Sequence, residues 1–384
     1  MNGETIASVR AREYPNPSDS IFLNTASWGL LPASVIREAT ELLGSRNRAD
    51  GVDERELGRV QHRCRGSVAK LLHVTPEEIA LAPNTSFGVN LAVALVAAGP
   101  PGIIVLSEGE FPANVFPWQS LEARGFTLAI VPADHLGRPR EEALANALDR
   151  PGVRALALSA VQFASGYRAD LPGLGSVCRS RNILFCVDAI QALGAVPLHP
   201  REASIDILAS GGQKWLCGPW GSGFAYVRRE LLDAFEPPMV SWLAVKGGAR
   251  FDDMLHYRRE WLDSARRFEL ATLGIQDYVG LARSVEILLE MGVEEVRRHI
   301  HGLHEPVVEW ILNRADVRPV TPLDPERRAG ILSFIPRDLQ GSVSALEELG
   351  VIFGVRQGAI RLAPHFYTTR EEMDRVVEAL DRAC

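Results

Sequence analysis

Ile183-Leu184-Phe185-Cys186-Val187-Asp188-Ala189-Ile190-Gln191 and Ile205-Asp206-Ile207-Leu208-Ala209-Ser210-Gly211-Gly212-Gln213-Lys214 are the two stretches whose reading decides the fold. Each opens on a short, mostly apolar run (183–187 and 205–209) and closes on side chains that carry chemistry. A strand covered on both faces reads as a continuous apolar run, because neither side meets water. An acid closing one such strand and a lysine just past another can stand together at one edge of a sheet.

Working outward, similar runs lie at 78–82, 103–107, 127–131, 155–161 and 223–227, and helical patterns at 86–98, 115–123, 140–148 and 171–180 fall among them. This alternation predicts an α/β fold with a mostly parallel seven-stranded sheet sandwiched by helices. After about residue 237 the alternation stops. Residues 238–268 are irregular and rich in Trp, Arg and Asp; helical stretches at 276–291 and 293–314 follow, then short segments at 330–334, 342–349, 350–356 and 359–362, and an amphipathic helix at 369–382. That pattern predicts a smaller α+β C-terminal domain. The expected division is a large domain over 20–268 and a small one made of 1–19 and 269–384, with 269–290 a connecting helical region. No Gly/Ser linker separates them, so a cleft between two closely packed domains is expected.

At 384 residues the chain exceeds the usual size of one core. Hydrophobic residues at 46% and charged residues at 23% are those of a soluble globular protein. A net charge of −7 with no basic block argues against nucleic acid as a partner. The five cysteines (Cys64, Cys178, Cys186, Cys217, Cys384) are odd in number and form no C-x-x-C pair, which suits a reducing cytoplasm without structural disulfides or a metal. Residues 1–20 carry no apolar leader segment and no later run has the length of a membrane span, so no membrane role and a cytoplasmic location are expected.

Lys214 and Asp188 are the pair that a pyridoxal phosphate (PLP) site needs. A lysine holds the cofactor as a Schiff base, and a carboxylate keeps the pyridine nitrogen protonated so that the ring can accept electrons. Five further patterns frame them: Phe22-Leu23-Asn24-Thr25-Ala26-Ser27-Trp28-Gly29; Pro83-Asn84-Thr85-Ser86-Phe87-Gly88, which leaves a strand and opens a helix, where hydroxyls and free N–H groups suit an anion; Glu110-Phe111-Pro112-Ala113-Asn114 with Pro117-Trp118; Ser159-Ala160-Val161-Gln162-Phe163-Ala164-Ser165-Gly166; and Ile360-Arg361-Leu362-Ala363-Pro364-His365-Phe366-Tyr367.

In this order and spacing, from Phe22 to the last helix, the patterns resemble the class V aminotransferase family of PLP enzymes. That family includes the cysteine desulfurases, selenocysteine lyase, kynureninase and isopenicillin N epimerase-like proteins. The resemblance implies PLP fold type I, and roles for single residues. Lys214 is the cofactor lysine and Asp188 the partner of the ring nitrogen. Gln191 meets the cofactor's phenolic oxygen. Thr85, Ser86 and Gln213 contact its phosphate, and Phe111 lies on its ring. Arg361 grips the substrate α-carboxylate, with Trp28 and Asn24 lining the substrate side. Thr272, in Phe268-Glu269-Leu270-Ala271-Thr272, reaches the phosphate of a neighbouring subunit, which implies a homodimer with shared active sites.

Departures from the desulfurase pattern narrow the chemistry. Phe163 stands where those enzymes have Asn, Gly211 and Gln213 replace the Ser and His before the lysine, and Ala271 replaces a Gly. Gln213 can donate a hydrogen bond but cannot shuttle a proton as a histidine can. Desulfurases also insert a loop bearing a nucleophilic cysteine before the arginine. Here only Ala359 and Ile360 separate Gly358 from Arg361, so a protein persulfide is not expected. The expectation is β-elimination from a cysteine S-conjugate, a C–S lyase. The alternatives are an aminotransferase, a decarboxylating deaminase or an epimerase of an amino acid. Trp28, Phe163, Trp118 and Tyr367 are expected to form an aromatic wall that suits a bulky conjugate. A purely binding protein of this fold would not require Lys214, Asp188 and Arg361 together.

Overall fold

Strands rich in Val, Ile, Leu and Ala line up in one sheet because helices cover both of its faces and leave no face for polar side chains. The computed structural model describes residues 5–16, 18–253, 255–257 and 259–383. Its large sheet contains β1 (Ile79–Ala82), β2 (Ile103–Ser107), β3 (Thr127–Val131), β4 (Val153–Ser159), β5 (Leu184–Asp188), β6 (Ile207–Gly211) and β7 (Gly223–Val227). The spatial order is β1-β7-β6-β5-β4-β2-β3; β7 runs antiparallel to both its neighbours and every other pairing is parallel. The expected seven-stranded, mostly parallel sheet is thus present. Two strands sit two residues away from where the apolar runs began, β4 starting and ending earlier and β6 later.

The helix read at 115–123 is instead one short turn, Phe116–Gln119, between two 3₁₀ turns. Two helices absent from the sequence reading, Ala33–Ser45 and α1 (Glu54–Leu72), pack on the large domain. Asp53 caps α1 by accepting the Glu56 N–H at 2.7 Å. Then come α2 (Thr85–Ala97), α3 (Ile275–Met291), α4 (Val293–Leu312) and α5 (Arg370–Ala383). α2 is apolar on nearly every side and lies in the core against β5, β6 and β7.

The small domain carries an antiparallel sheet of β8 (Arg318–Pro319), β9 (Leu332–Ile335), β10 (Gly354–Arg356) and β11 (Ala359–Leu362), in the order β10-β11-β9-β8. The segment read as one strand over 350–356 divides: Val351–Ile352 pairs with Ile21–Phe22, and only Gly354–Arg356 joins the sheet. The division expected at residues 20 and 268 does not follow the cores. Val9, from the N-terminal helix, packs into the large core, whereas Ile21 and Leu23 pack with Leu303, Phe334, Ile360 and Val376 of the small one. Residues 1–4 and 17 of the expected 1–19 segment lie outside the described residues, as does Cys384. Among the described residues no helix is long and apolar enough to cross a membrane.

Candidate active site

The C-terminal ends of β4, β5 and β6 lie side by side, Ser159 opposite Asp188 and Asp188 opposite Ala209. Open parallel sheets present their chemistry at this edge. Asp188 is buried and accepts the Ile190 N–H at 3.0 Å. Burial raises its pKa to about 6, against the pull of that N–H and of Lys214. Past the end of β6 the chain folds back tightly. Gly212 donates to Ser222 O and Cys217 donates to Lys214 O, with Cys217 in a left-handed conformation at φ 54°. This turn holds Lys214 partly buried, its Nζ 5.8 Å from the centre of the Phe111 ring. Burial lowers the Lys214 pKa to about 8. Asp188 works against that shift, while Arg361 and Arg356 add to it.

The end of β6 meets the start of α2. The Thr85 hydroxyl accepts the Gly211 N–H at 2.8 Å. A methyl group at Gly211 would stand 2.3 Å from Gln213 Oε1 and 3.3 Å from Thr85 Oγ1, so glycine lets both side chains close on the end of β6. Ser86 is exposed one residue further along. Helix and strand approach closely because position 88 is glycine; a Cβ there would meet the Ala209 Cβ at 2.7 Å. Hydroxyls at the positive end of a helix suit a phosphate.

Arg361 lies on β11 and is buried. Its Nη1 donates to Phe163 O at 2.8 Å and its Nη2 to Ser27 Oγ at 2.9 Å, with Asn24 Oδ1 at 3.5 Å. Its Nε has no partner, and no ion pair among the described residues includes it. Burial, with Arg356 nearby, lowers its pKa to about 10. A buried guanidinium without a carboxylate is costly unless a ligand supplies one. Gly354 lies opposite it on β10, and a Cβ there would touch the guanidinium at 3.4 Å.

The other expected site residues divide. Asn24 reaches Arg361 chiefly through Ser27, which the sequence reading did not single out; its Oδ1 accepts the Ser27 hydroxyl at 2.8 Å. Trp28 lines a cleft of about 710 Å³ with Gln213, Trp220 and Tyr367. Phe111 and Phe163 meet edge to face at 5.2 Å. Trp118 does not belong to the aromatic wall: it is fully buried and its indole N–H bonds Asn114 at 3.3 Å. Gln191 braces the N-terminal turn, donating to Ala26 O at 2.9 Å and accepting from the Trp215 indole at 2.7 Å. Thr272 is exposed, in a left-handed conformation (φ 59°), beside Leu42, Arg46 and Leu57 rather than beside Lys214 of its own chain.

Sequence reasoning passed over Glu110, quoted only as a neighbour of Phe111. Its buried carboxylate accepts from Ser159 N and Oγ, Gln162 Nε2 and Asn114 Nδ2. Burial still raises its pKa, and its charge adds to the rise at Asp188. A charged residue just after an apolar strand was the available signal.

The residues fit PLP. The hydroxyls of Thr85 and Ser86 at a helix start suit a phosphate, Phe111 offers a flat face, Asp188 a buried acid, and Lys214 an amine whose proton affinity burial lowers. Arg361 carries an unmet donor for the substrate. The thiols do not compete for this chemistry. Cys64, Cys178, Cys186 and Cys217 are all buried, and burial pushes Cys64 and Cys178 up to about 12. In place of a cysteine loop, β10 and β11 are joined by Gln357-Gly358 alone, both with positive φ (50° and 75°), as in a two-residue hairpin turn.

Comparison with known proteins agrees with this geometry. The family model described as Aminotransferase class-V matches residues 21–376. An isopenicillin N epimerase of Streptomyces clavuligerus is 29% identical over 97% of this chain and 97% of its own length. A probable cysteine desulfurase of Methanothermobacter thermautotrophicus is 25% identical over 96% of each chain. Among solved structures, a complex of the cystine C–S lyase C-DES with its product cysteine persulfide superposes with a TM-score of 0.84. That chain is 24% identical, over 96% of this chain and 99% of its own.

Proposed function

The chain belongs to the class V aminotransferase family, whose cofactor is pyridoxal 5′-phosphate, and on that premise we propose that it is a C–S lyase releasing a thiol from a cysteine S-conjugate by β-elimination. The observation that carries this reading is the two-residue turn Gln357-Gly358 beside Arg361, with every described thiol buried. A site with a cofactor lysine and no available thiolate can cleave a C–S bond but cannot take the sulfur onto the protein.

When bound, PLP withdraws electrons from the substrate Cα. Lys214 would hold the cofactor and, as a free amine, take the Cα proton; its lowered proton affinity suits a base near neutral pH. Asp188 would face the ring nitrogen, its negative charge favouring the protonated ring. Glu110 would hold Ser159 and Gln162 in place at the neighbouring strand end. Thr85, Ser86 and Gln213 would bind the phosphate, Phe111 would cover the ring, and Gln191 has one amide hydrogen left for the phenolic oxygen. Arg361, held by Ser27 and Asn24 at Nη2, would receive the α-carboxylate through its unmet Nε. Trp28 and Tyr367 would border the substrate. The C–S bond then breaks with its electron pair on sulfur, and the three-carbon remainder hydrolyses to pyruvate and ammonia.

A homodimer completes this reading, with Thr272 directed to the neighbouring subunit's phosphate. Its exposed left-handed conformation, away from its own Lys214, supports that assignment. The test is a product screen of the holoenzyme with S-alkyl and S-aryl cysteines. Equal amounts of pyruvate and free thiol are expected. Conversion of the cofactor to its amine form would favour the aminotransferase, CO₂ without thiol the decarboxylating deaminase, and loss of optical rotation alone the epimerase.

A further inference from the structure

Beyond Phe163 the site opens into a second cleft of about 570 Å³, between the large-domain loop 133–137 and the small sheet. Glu110 and Phe163 form its inner wall, and Arg318 on β8, Arg356 on β10 and His135 stand around it. Three carboxylates, Glu108, Glu110 and Asp134, also line the cleft, and each is held by hydrogen-bond donors of the protein. Glu108 accepts the Ala133 N–H, Asp134 accepts the Leu136 and Arg138 N–H groups, and Glu110 is engaged by Ser159, Gln162 and Asn114. The two arginines have no such partners. Arg356 reaches only its own strand, donating to Val355 O at 2.9 Å, and neither it nor Arg318 pairs with a carboxylate among the described residues.

The cleft is continuous with the chemistry. Phe163 lines it, gives its carbonyl to Arg361 and packs against Phe111, which lies over Lys214. Arg356 stands opposite Ala359, two residues before Arg361 on the same hairpin, and its charge is felt at both Arg361 and Lys214. A substrate held by Arg361 would have its side chain beside Phe163, and a tail that passes it arrives between two unpaired guanidiniums. Guanidinium forks bind carboxylates through paired hydrogen bonds.

Building on the reading that Arg361 and Lys214 hold an amino acid, we propose that this cleft is a second anion subsite and that the substrate is an amino acid whose side chain ends in a carboxylate, received by Arg356 and Arg318. The outer subsite sets substrate choice, while the inner arginine recognises the amino-acid head common to all candidates. Because the outer arginines are exposed, the preference they give is moderate and screened by salt.

The test titrates the holoenzyme with S-(2-carboxyethyl)-L-cysteine and with its uncharged isostere S-(2-carbamoylethyl)-L-cysteine, reading binding from the cofactor absorbance. The acid is expected to bind at least about tenfold more tightly at low salt. That ratio should fall towards one in Arg356→Gln, and further in the Arg318→Gln/Arg356→Gln pair, or in wild type at high salt. Thermal melting of each variant checks that the fold is kept. Equal binding of acid and amide by wild type, or a ratio that survives the double substitution, would overturn the subsite. The fate of the C–S reading is separate, because binding is read whether or not pyruvate forms. Acid preference without thiol release would leave the subsite standing and remove only the lyase.

Discussion

An ordinary lysine is neutral at pH 7 in only about one molecule in three thousand; with a pKa of about 8, Lys214 is neutral in roughly one in ten. A neutral amine is the form that attacks an aldehyde, so loading of the cofactor-free protein with PLP should speed up about tenfold per pH unit below 8 and level off above it. In Asp188→Asn the opposing carboxylate is gone, and the midpoint, followed by absorbance in stopped flow, should move below 8. Asp188 itself carries a stability consequence. Its folded pKa lies above the unfolded value, so the fold binds the extra proton between about pH 4 and 6 and loses stability as the pH rises through that window. The loss is on the order of 3 kcal/mol. Asp188→Asn should flatten this slope when melting of the cofactor-free protein is compared at pH 4 and pH 7. For Arg361, lysine keeps the charge but loses the fork, so Arg361→Lys should raise the dissociation constant of an amino acid by about 10–100-fold while the cofactor spectrum stays as it is.

Two elements carry tests of their own. Gly211→Ala puts a methyl group 2.3 Å from Gln213 Oε1, so Gln213, a flexible side chain and a proposed phosphate contact, must move away from Thr85. PLP affinity, measured by equilibrium dialysis, should fall about tenfold or more, with only a small change in the melting of the cofactor-free protein. In the β10–β11 turn, Gln357 occupies a left-handed position that asparagine adopts more readily, so Gln357→Asn should stabilise the protein by roughly 0.5 kcal/mol in urea unfolding. Elements of this kind divide sharply in how well sequence reveals them. The runs that became β2 and β7 were legible because burial on both faces leaves an apolar signature, and the edge strand β3 was legible from its apolar run although Ile130 is exposed. The stretch at 115–123 was not: Pro117 and the turns around it break a pattern that periodicity alone reads as helix. The strand-end position of Asp188 and the turn holding Lys214 were both visible, since each depends on residues next to it. Glu110 was overlooked because its partners, Ser159 and Gln162, come from another strand end.

At the scale of the molecule, α1, β1 and the Thr272 segment are tied together by a buried pair. Arg65 on α1 meets Glu269 with both nitrogens of its fork, at 2.8 and 2.5 Å, and Glu269 also accepts the Leu81 N–H of β1. Arg65→Leu leaves that carboxylate buried without its counter-ion and should cost about 3–5 kcal/mol, seen as a large drop in melting temperature. Because Glu269 lies just before Thr272, the same variant should also weaken self-association in sedimentation if Thr272 serves a neighbouring subunit. Such long-range ties were not legible. Arg65 and Glu269 are far apart in the chain, and neither has a local pattern that points to the other. The cleft with Arg318 and Arg356 escaped notice for the same reason, since its walls come from both domains.

The Gln357-Gly358 turn also bears on traffic outside the molecule. An enzyme that parks sulfur on a swinging arm must be met by a receiver that docks and collects it. A hairpin closed by two residues has no arm to swing, and the described thiols, all buried, offer no berth. On the lyase reading, the thiol is therefore expected to leave for free solution, at a pace set by diffusion rather than by a courier protein.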